Sequence, residues 1–412
     1  MISARRALGA ALVLVAVAAA CDGDDEAAPT TTAAVVPDVT TTTIARQTND
    51  RLDLGVFLPR TGPGAQFGEP MIAAIEQTVA EIDAAGGVLG QPVRLEIVDE
   101  ATDPGSAVLE REVDAVVGPA SSIVALTQLG QLVRPDTGVV TCSPMATGLV
   151  LDDFPDNGYF FRTAPSDSLQ MAAIARRASD TGITTAAIGY LDDPYGRGLR
   201  DALLTELAER NIEPIAMVGF GVDQDDLSTV TAELLADDPG VVIVLGDADD
   251  GSRLVSALDV DESIDGVRRV IVNDAIRGAR STLQSLTPEF RARLLGVAPS
   301  GSGRNADGPE GFFTAHAVDC VNLIALAATS VGTDDPAVVQ TRVVPMGREG
   351  RECSDFAQCA EFLAQGLEID YNGLSGSLEL ANSSGDPQRA FFESFGFDET
   401  GSEENRQVFE VS

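Results

Sequence analysis

Two kinds of hydrophobic pattern alternate along the chain: short, nearly continuous apolar runs and longer stretches with helical spacing. "LDLGVFLP" predicts a strand, and residues 67–85 carry helical periodicity until Gly86-Gly87 stops it. "VRLEIVDEAT" predicts the next strand, followed by a helix, "DAVVGP", a second helix and "GVVTCSP". After "YFFRTAPSD" the pattern restarts. A helix from Asp167 leads to "TTAAIGYLD", a helix over residues 195–211, "IEPIAMVGF", a helix, "VVIVLGD", a helix and "RRVIVND". Apolar strands between amphipathic helices imply parallel sheets covered on both faces. Two such series predict an α/β chain of two doubly wound lobes. A third section adds "GVAPSGS", a long helix over residues 311–330, and two strands within "YNGLSGSLELANSSGDPQRAFFESFGF" joined at Gly-Asp-Pro. A chain that fills one lobe, then the other, then returns needs several crossovers, and these make a hinge. The expected division is residues 51–164 with 297–345 in lobe 1, residues 165–296 with 346–400 in lobe 2, and a tail over 401–412.

The first fifty residues stand outside this pattern. Arg5-Arg6 precede an uninterrupted small and apolar run, residues 7–20, which ends at Cys21. That run is shorter than the roughly 17 to 25 residues that span a bilayer. With its charged start it predicts an export signal over residues 1–20. A cysteine directly after Ala18-Ala19-Ala20 is similar to a lipobox, in which the signal is cut before the cysteine and the cysteine is acylated. Thr, Ala, Pro and Asp without periodicity fill residues 22–50, which predicts a disordered tether over 21–50. The expected location is the outer face of the cytoplasmic membrane, with Cys21 as the lipid anchor.

Charge narrows the partners. The 412 residues carry 64 acidic and 27 basic side chains, net −37, and every basic residue is arginine. Such a surface repels phosphate backbones and excludes nucleic acid as a partner. Four cysteines remain after Cys21, and in an exported protein they are disulfide candidates. "CSDFAQC" places Cys353 and Cys359 six apart, which suggests a bridge closing a small loop. Cys142 and Cys320 are then left either to pair or to stay as buried thiols. His316, the one histidine, sits in a helical apolar stretch without ligand spacing, so no metal site is expected. "DADDGS" lacks the length and distal glutamate of a calcium loop. No Ser-His-Asp set, Walker loop or cofactor motif is present.

In open parallel sheets ligands sit beyond the carboxyl ends of the strands, so the segments that follow each strand matter most. In the first lobe these are "RTGPGAQFGEP" with Phe67, "ASS" with Ser121 and Ser122, and "SPMAT" with Met145, Ala146 and Thr147. They offer hydroxyls, backbone N–H groups and a helix N-terminus, which suit a carboxylate. In the second lobe Tyr195, Asp247 and Asp274 follow their strands and suit an ammonium. An anion site facing a cation site fits a zwitterion. Each residue also has a plainer role: Ser122 and Asp274 as helix caps, Thr147 as a turn hydroxyl, Tyr195 as lobe packing.

Taken as an ordered set, "GPGAQFG", "EIDAAGGVLGQPVRLEIVDEATDP", "VVGPASS", "SPMAT", "DDPYGRGL" and "YNGLSGSLELANSSGDP" resemble the branched-chain amino-acid binding protein family. These are type I periplasmic binding proteins that deliver solutes to ABC importers. The resemblance runs from Leu52 to about Phe397. It implies that Ser122 with its neighbouring amides, the Met145 carbonyl and Thr147 hold the ligand's α-carboxylate and α-amino groups. It also implies that Asp274 completes the ammonium site and that Phe67 and Tyr195 are its aromatic walls. The chain departs from the family at Gly246-Asp247, where leucine binders carry tyrosine. The expected function is a lipid-tethered binder of an amino acid or amide-like solute that serves an ABC permease. A sensory module for a membrane signalling partner is the alternative, and an exported enzyme on the same lobes is the third reading.

Overall fold

All six residues of strand β1 (Asp53–Leu58) are buried. Leu54, Val56 and Leu58 face one helical layer and Phe57 the other, so the strand is apolar on both sides. The computed structural model describes residues 48–412 apart from 63, 181 and 302–310. The expected signal, Cys21 and the tether up to residue 47 lie outside the described residues. Beyond β1 come α1 (Ala65–Ala84), β2 (Arg94–Asp99), α2 (Gly105–Leu109), β3 (Ala115–Val117), α3 (Ser122–Leu132), β4 (Val140–Ser143) and β5 (Phe160–Arg162). The five strands form one parallel sheet in the order β2-β1-β3-β4-β5. Helix α1 packs on one face through Met71, Ile75, Val79 and Ile82. Helices α2 and α3 cover the other face through Val108, Ala125, Leu129 and Leu132.

The second sheet grows from α4 (Asp167–Ser179), β6 (Thr185–Leu191), α5 (Pro194–Glu209), β7 (Glu213–Phe220), α6 (Ser228–Leu235), β8 (Val241–Leu245), α7 (Ala248–Asp259) and β9 (Arg269–Val272). Two short helices, α8 (Arg280–Ser285) and α9 (Pro288–Arg293), lead to β10 (Leu294–Pro299). Val242 and Val244 join Leu234 and Leu254 on one side, while Ile243 and Leu245 join Met171 and Leu199 on the other. The central strands thus have no polar face to show, whereas the edge strand β7 is only partly covered.

After β10 the chain returns to lobe 1 as α10 (Thr314–Val331) and α11 (Pro336–Val343). Helix α10 is long and apolar enough to cross a membrane, but most of it is buried inside the lobe against α1, α11 and α12 (Phe356–Ala364). Strands β11 (Arg351–Cys353) and β12 (Ile369–Tyr371) form a small parallel pair beside it. Only then does the chain cross to lobe 2 for β13 (Ala390–Phe397) and β14 (Glu403–Val411), completing the order β14-β13-β10-β9-β8-β6-β7.

These elements correct the expected lobe boundaries. Residues assigned to lobe 2 between 346 and 380 belong to the lobe 1 core, because Met346, Phe356, Phe362, Ile369 and Tyr371 bury themselves with α10. Strand β10 extends through Pro299 in lobe 2. The supposed tail over 401–412 is mostly β14, antiparallel to β13, with Phe409 and Val411 buried and Val408 exposed. The Gly-Asp-Pro turn exists, closed by the antiparallel bridge between Leu380 and Pro387, but β13 pairs with β10 and β14 instead. Three crossovers join the lobes: residues 163–166, the connection from β10 to α10, and residues 381–389. Cys142 of β4 is bonded to Cys320 of α10, with Cα atoms 5.6 Å apart. Cys353 and Cys359 are bonded across 5.4 Å.

Candidate functional site

The loops at the carboxyl ends of β1, β3 and β4 are fixed by close backbone approaches. A Cβ at Gly68 would stand 1.7 Å from the Pro59 carbonyl oxygen, so only glycine lets α1 start this near β1. This places Phe67 edge-on to Phe312, ring centres 5.9 Å apart. At Gly118, φ is +124° and a Cβ would lie 2.0 Å from the Phe57 carbonyl oxygen. The chain then turns into α3, which is capped by Ser121: its hydroxyl accepts from Val124 N at 3.4 Å. Ser122 is therefore the first helical residue and not the cap. Its hydroxyl oxygen accepts from Gly148 N at 3.0 Å.

An acidic residue absent from the sequence expectations shares this helix start. Glu100 accepts from Ala120 N at 2.6 Å and Ser121 N at 3.0 Å. Burial pushes its carboxyl up to about 7, with those two N–H groups opposing the rise. Two amides of the serine loop thus already hold the protein's own carboxylate. Beyond β4, the Ser143 hydroxyl donates to the Pro119 carbonyl at 2.6 Å and accepts from Ala146 N at 2.9 Å. That folds the loop so that Ala146 is fully buried, Thr147 nearly so and Met145 half-buried. Among the described residues the backbone N–H groups of Ser122 and Thr147 have no hydrogen-bond acceptor.

On the lobe 2 side, Asp193 caps α5 by accepting from Gly196 N, leaving Tyr195 in the first turn. The Tyr195 hydroxyl accepts from Asn273 Nδ2 at 3.2 Å, which leaves its own proton free to donate. Asn273 is itself buried and clamps Gly246, accepting from its N–H at 3.1 Å and donating to its carbonyl at 3.0 Å. A Cβ at Gly246 would already meet the Gly251 Cα at 3.3 Å. The position that carries tyrosine in leucine binders is here backbone held against α7.

Two carboxyl groups lie beside Tyr195. Burial raises Asp274, opposed by the Gln170 side chain and the Ala275 N–H. Asp167, which the sequence reading took only as a helix start, is fully buried, and neither of its oxygens has a well-formed hydrogen bond. Burial, then the charge of Asp274, push it up to about 7, against the Thr147 hydroxyl and the Arg162 charge. Its N–H donates to the Thr147 carbonyl at 2.8 Å. Burial and the charges of Asp167 and Asp274 also hold Tyr195 in its neutral form. The sequence signal for Asp167 was masked by its neighbour: the Ser166 hydroxyl caps α4 by accepting from Ser168 N.

Ser122 is thus bonded to the Gly148 end of the turn that carries Ala146 and Thr147, Thr147 is bonded to Asp167, and the charges of Asp167 and Asp274 reach Tyr195. Phe67 reaches the lobe 2 rim, where a Cβ at Gly278 would be 3.7 Å from its ring tip. Asp247 stands apart: it is exposed and caps α7 by accepting from Asp250 N at 2.8 Å. Its charge still reaches Tyr195. A separate polar cavity of about 490 Å³ is lined by Arg348, Asp370, Glu379, Arg389 and Glu410. Its arginines are engaged, Arg389 by Glu379 and Arg348 by Asn382 and the Leu380 carbonyl. Among the described residues no group of three or more His, Cys, Asp or Glu side chains is placed to hold a metal ion. His316 is buried on α10, pushed down to about 3 by burial.

Known proteins share this architecture. A family model described as periplasmic binding protein matches residues 52–307, more than half of the chain. The chemotactic signal transduction system substrate-binding protein BasB of Halobacterium salinarum is 26% identical over 348 residues, covering 79% of this chain and 83% of BasB. The Leu/Ile/Val-binding protein homolog 1 of Brucella suis is 26% identical over 307 residues, covering 69% of this chain and 80% of the homolog. Among solved structures, an ABC transporter substrate-binding protein from Desulfitobacterium hafniense in complex with Leu superposes with a TM-score of 0.66 at 18% identity. That match covers 86% of this chain and 100% of the other. The fold is that of the type I periplasmic binding proteins, and the chain belongs to the periplasmic binding protein family, whose members bind solutes and are not enzymes.

Proposed function

We propose that the protein captures an amino acid as its zwitterion between the lobes and delivers it to an ABC permease. The observation that carries this reading is Asp167, fully buried beside Asp274 and Tyr195 with no well-formed hydrogen bond to either carboxyl oxygen. A buried carboxylate is stable only when paired, and an ammonium supplies both charge and donors. The free N–H groups and hydroxyls of Ser122 and Thr147 suit the α-carboxylate on the lobe 1 side. Phe67 and Phe312 offer an apolar wall for the ligand side chain. The names of relatives that bind Leu, Ile and Val support an aliphatic side chain, while backbone at Gly246 in place of tyrosine argues for a differently shaped one. In this reading Cys21 anchors the mature protein by lipid to the outer face of the membrane. Asp247 contributes at the rim through its charge.

A ligand-sensing role is the second reading, supported by the similarity to a chemotactic substrate-binding protein. The same closure would then be read by a signalling partner. The test of capture is a thermal-shift panel of the twenty L-amino acids. A ligand at a hundred times its Kd adds about 2.7 kcal/mol, or about 3 °C in Tm for a chain of this size. A panel in which no amino acid raises Tm would refute the amino-acid reading.

A further inference from the structure

Arg162, the last residue of β5, is fully buried, and no charged ligand is needed to explain why it is charged. Its Nε donates to Asp386 at 2.5 Å and its Nη2 to Asp152 at 2.6 Å. Its Nη1 donates to the carbonyls of Ala146 and Gly148, each at 3.3 Å. Those are the two residues on either side of Thr147. Asp152 in turn accepts from the Ser166 hydroxyl at 2.8 Å, and Ser166 directly precedes Asp167. Asp386 lies in the crossover over residues 381–389, and the neighbouring Gly385 carbonyl accepts from the Arg162 backbone N–H at 3.0 Å.

One guanidinium therefore touches the turn that presents Thr147 and the middle of one crossover, and reaches the end of another through Asp152 and Ser166. We propose that Arg162 is a positioning residue for ligand binding: it sets the shape of the turn over residues 146–148 and locks it to the first and third crossovers. This rests on the reading that Thr147 and Asp167 hold the ligand. The planar fork explains why arginine stands here. It directs separate N–H groups at two carboxylates and two carbonyls in one plane, which the single ammonium of lysine cannot do. Closing the lobes changes the backbone angles of the crossovers, and a rigid fork passes that change to the turn. A role confined to stability would need only the two ion pairs and not the bonds to both flanking carbonyls.

The test is a double-mutant cycle on the full chain, read with the L-amino acid that gives the largest thermal shift. Arg162→Lys should weaken binding by about tenfold to a hundredfold, within the range of couplings in one polar network. Thr147→Val should then cost less than about threefold more in the Arg162→Lys background, because the hydroxyl is already misplaced. Asp386→Asn, which changes a group on the far side of the guanidinium from Thr147, should show the same loss of additivity. In the ligand-free protein, amide hydrogen exchange across residues 145–148 should speed up in both variants. Binding within threefold of the parent, or effects that simply add to that of Thr147→Val, would overturn the proposal even if Tm falls. If no amino acid binds the parent, the amino-acid reading fails and the exchange measurement decides alone: unchanged exchange at 145–148 in both variants overturns the role of Arg162. If Arg162→Lys does not fold, Asp386→Asn carries the same two measurements.

Discussion

Asp167 carries the most specific chemistry of the site and was the hardest residue to find in the sequence. "PSD" before a helix reads as a cap, and Ser166 does cap α4. What distinguishes Asp167 is full burial with no well-formed hydrogen bond to its oxygens, a property that exists only once α4 and the Thr147 turn are in place. Ser122, Thr147, Tyr195 and Asp274 stand out in the sequence because each follows a strand end. Asp247 was legible by the same rule but is held out by its bond to Asp250 N. The raised Asp167 carboxyl gives a signed prediction. An ammonium pairs with the charged form, and the free protein holds its proton up to about pH 7. Affinity for the amino acid should therefore rise as pH climbs from 5 to 7 and level off above, and calorimetry across that window checks it. Asp167→Asn should flatten the profile.

Glu100 yields a second prediction at this scale. Its folded value of about 7 exceeds the ordinary 4.5, so between those values the folded protein keeps a proton that the unfolded chain releases. Stability from this group is intact below the unfolded value and declines as pH rises through the folded one, by about 3 kcal/mol in all, from the roughly 4.5-to-7 shift. Glu100→Gln removes the titration and keeps one acceptor oxygen for the two N–H groups, which Glu100 meets with separate oxygens. Denaturant melts at pH 5 and pH 8 should show a smaller loss on raising pH in this variant than in the parent. An equal loss in both would place the proton elsewhere.

At the scale of elements, the strands were legible because doubly covered sheets demand unbroken apolar runs, as in "VVIVL" of β8. The final section was misassigned for a physical reason too. Its short strands and turns carry no periodicity that says which lobe they join; α10 decides that by offering an apolar face to Phe356, Phe362 and Tyr371. The alternation of β14 was present in the sequence, but acidic residues before it made it resemble a tail. The open choice for Cys142 and Cys320 closes because β4 and α10 meet in the lobe 1 core. Peptide mapping without reductant should recover 142–320 and 353–359 as the two linked pairs. By loop entropy, the bridge spanning 178 residues contributes about 5 kcal/mol and that spanning 6 about 2 kcal/mol. Removing Cys142 and Cys320 together should thus lower stability more than removing Cys353 and Cys359, and the reverse order in urea melts would contradict this.

At the scale of the whole molecule, three crossovers join two separately cored lobes, and on the proposed function a ligand held by Thr147 on one side and Asp274 on the other would select a closed arrangement. Small-angle scattering should show the radius of gyration fall on adding the best-binding amino acid. No change at saturation would mean a rigid binder. The ligand's ammonium is the group most directly open to test. Calorimetric titration should compare that amino acid with its 2-hydroxy analogue, which keeps the carboxylate and side chain but replaces the ammonium by a hydroxyl. Losing one member of a buried pair costs about 3 to 5 kcal/mol, so the analogue should bind about two to three and a half decades more weakly. Affinities within threefold of each other would contradict the claim that Asp167 and Asp274 hold a cation.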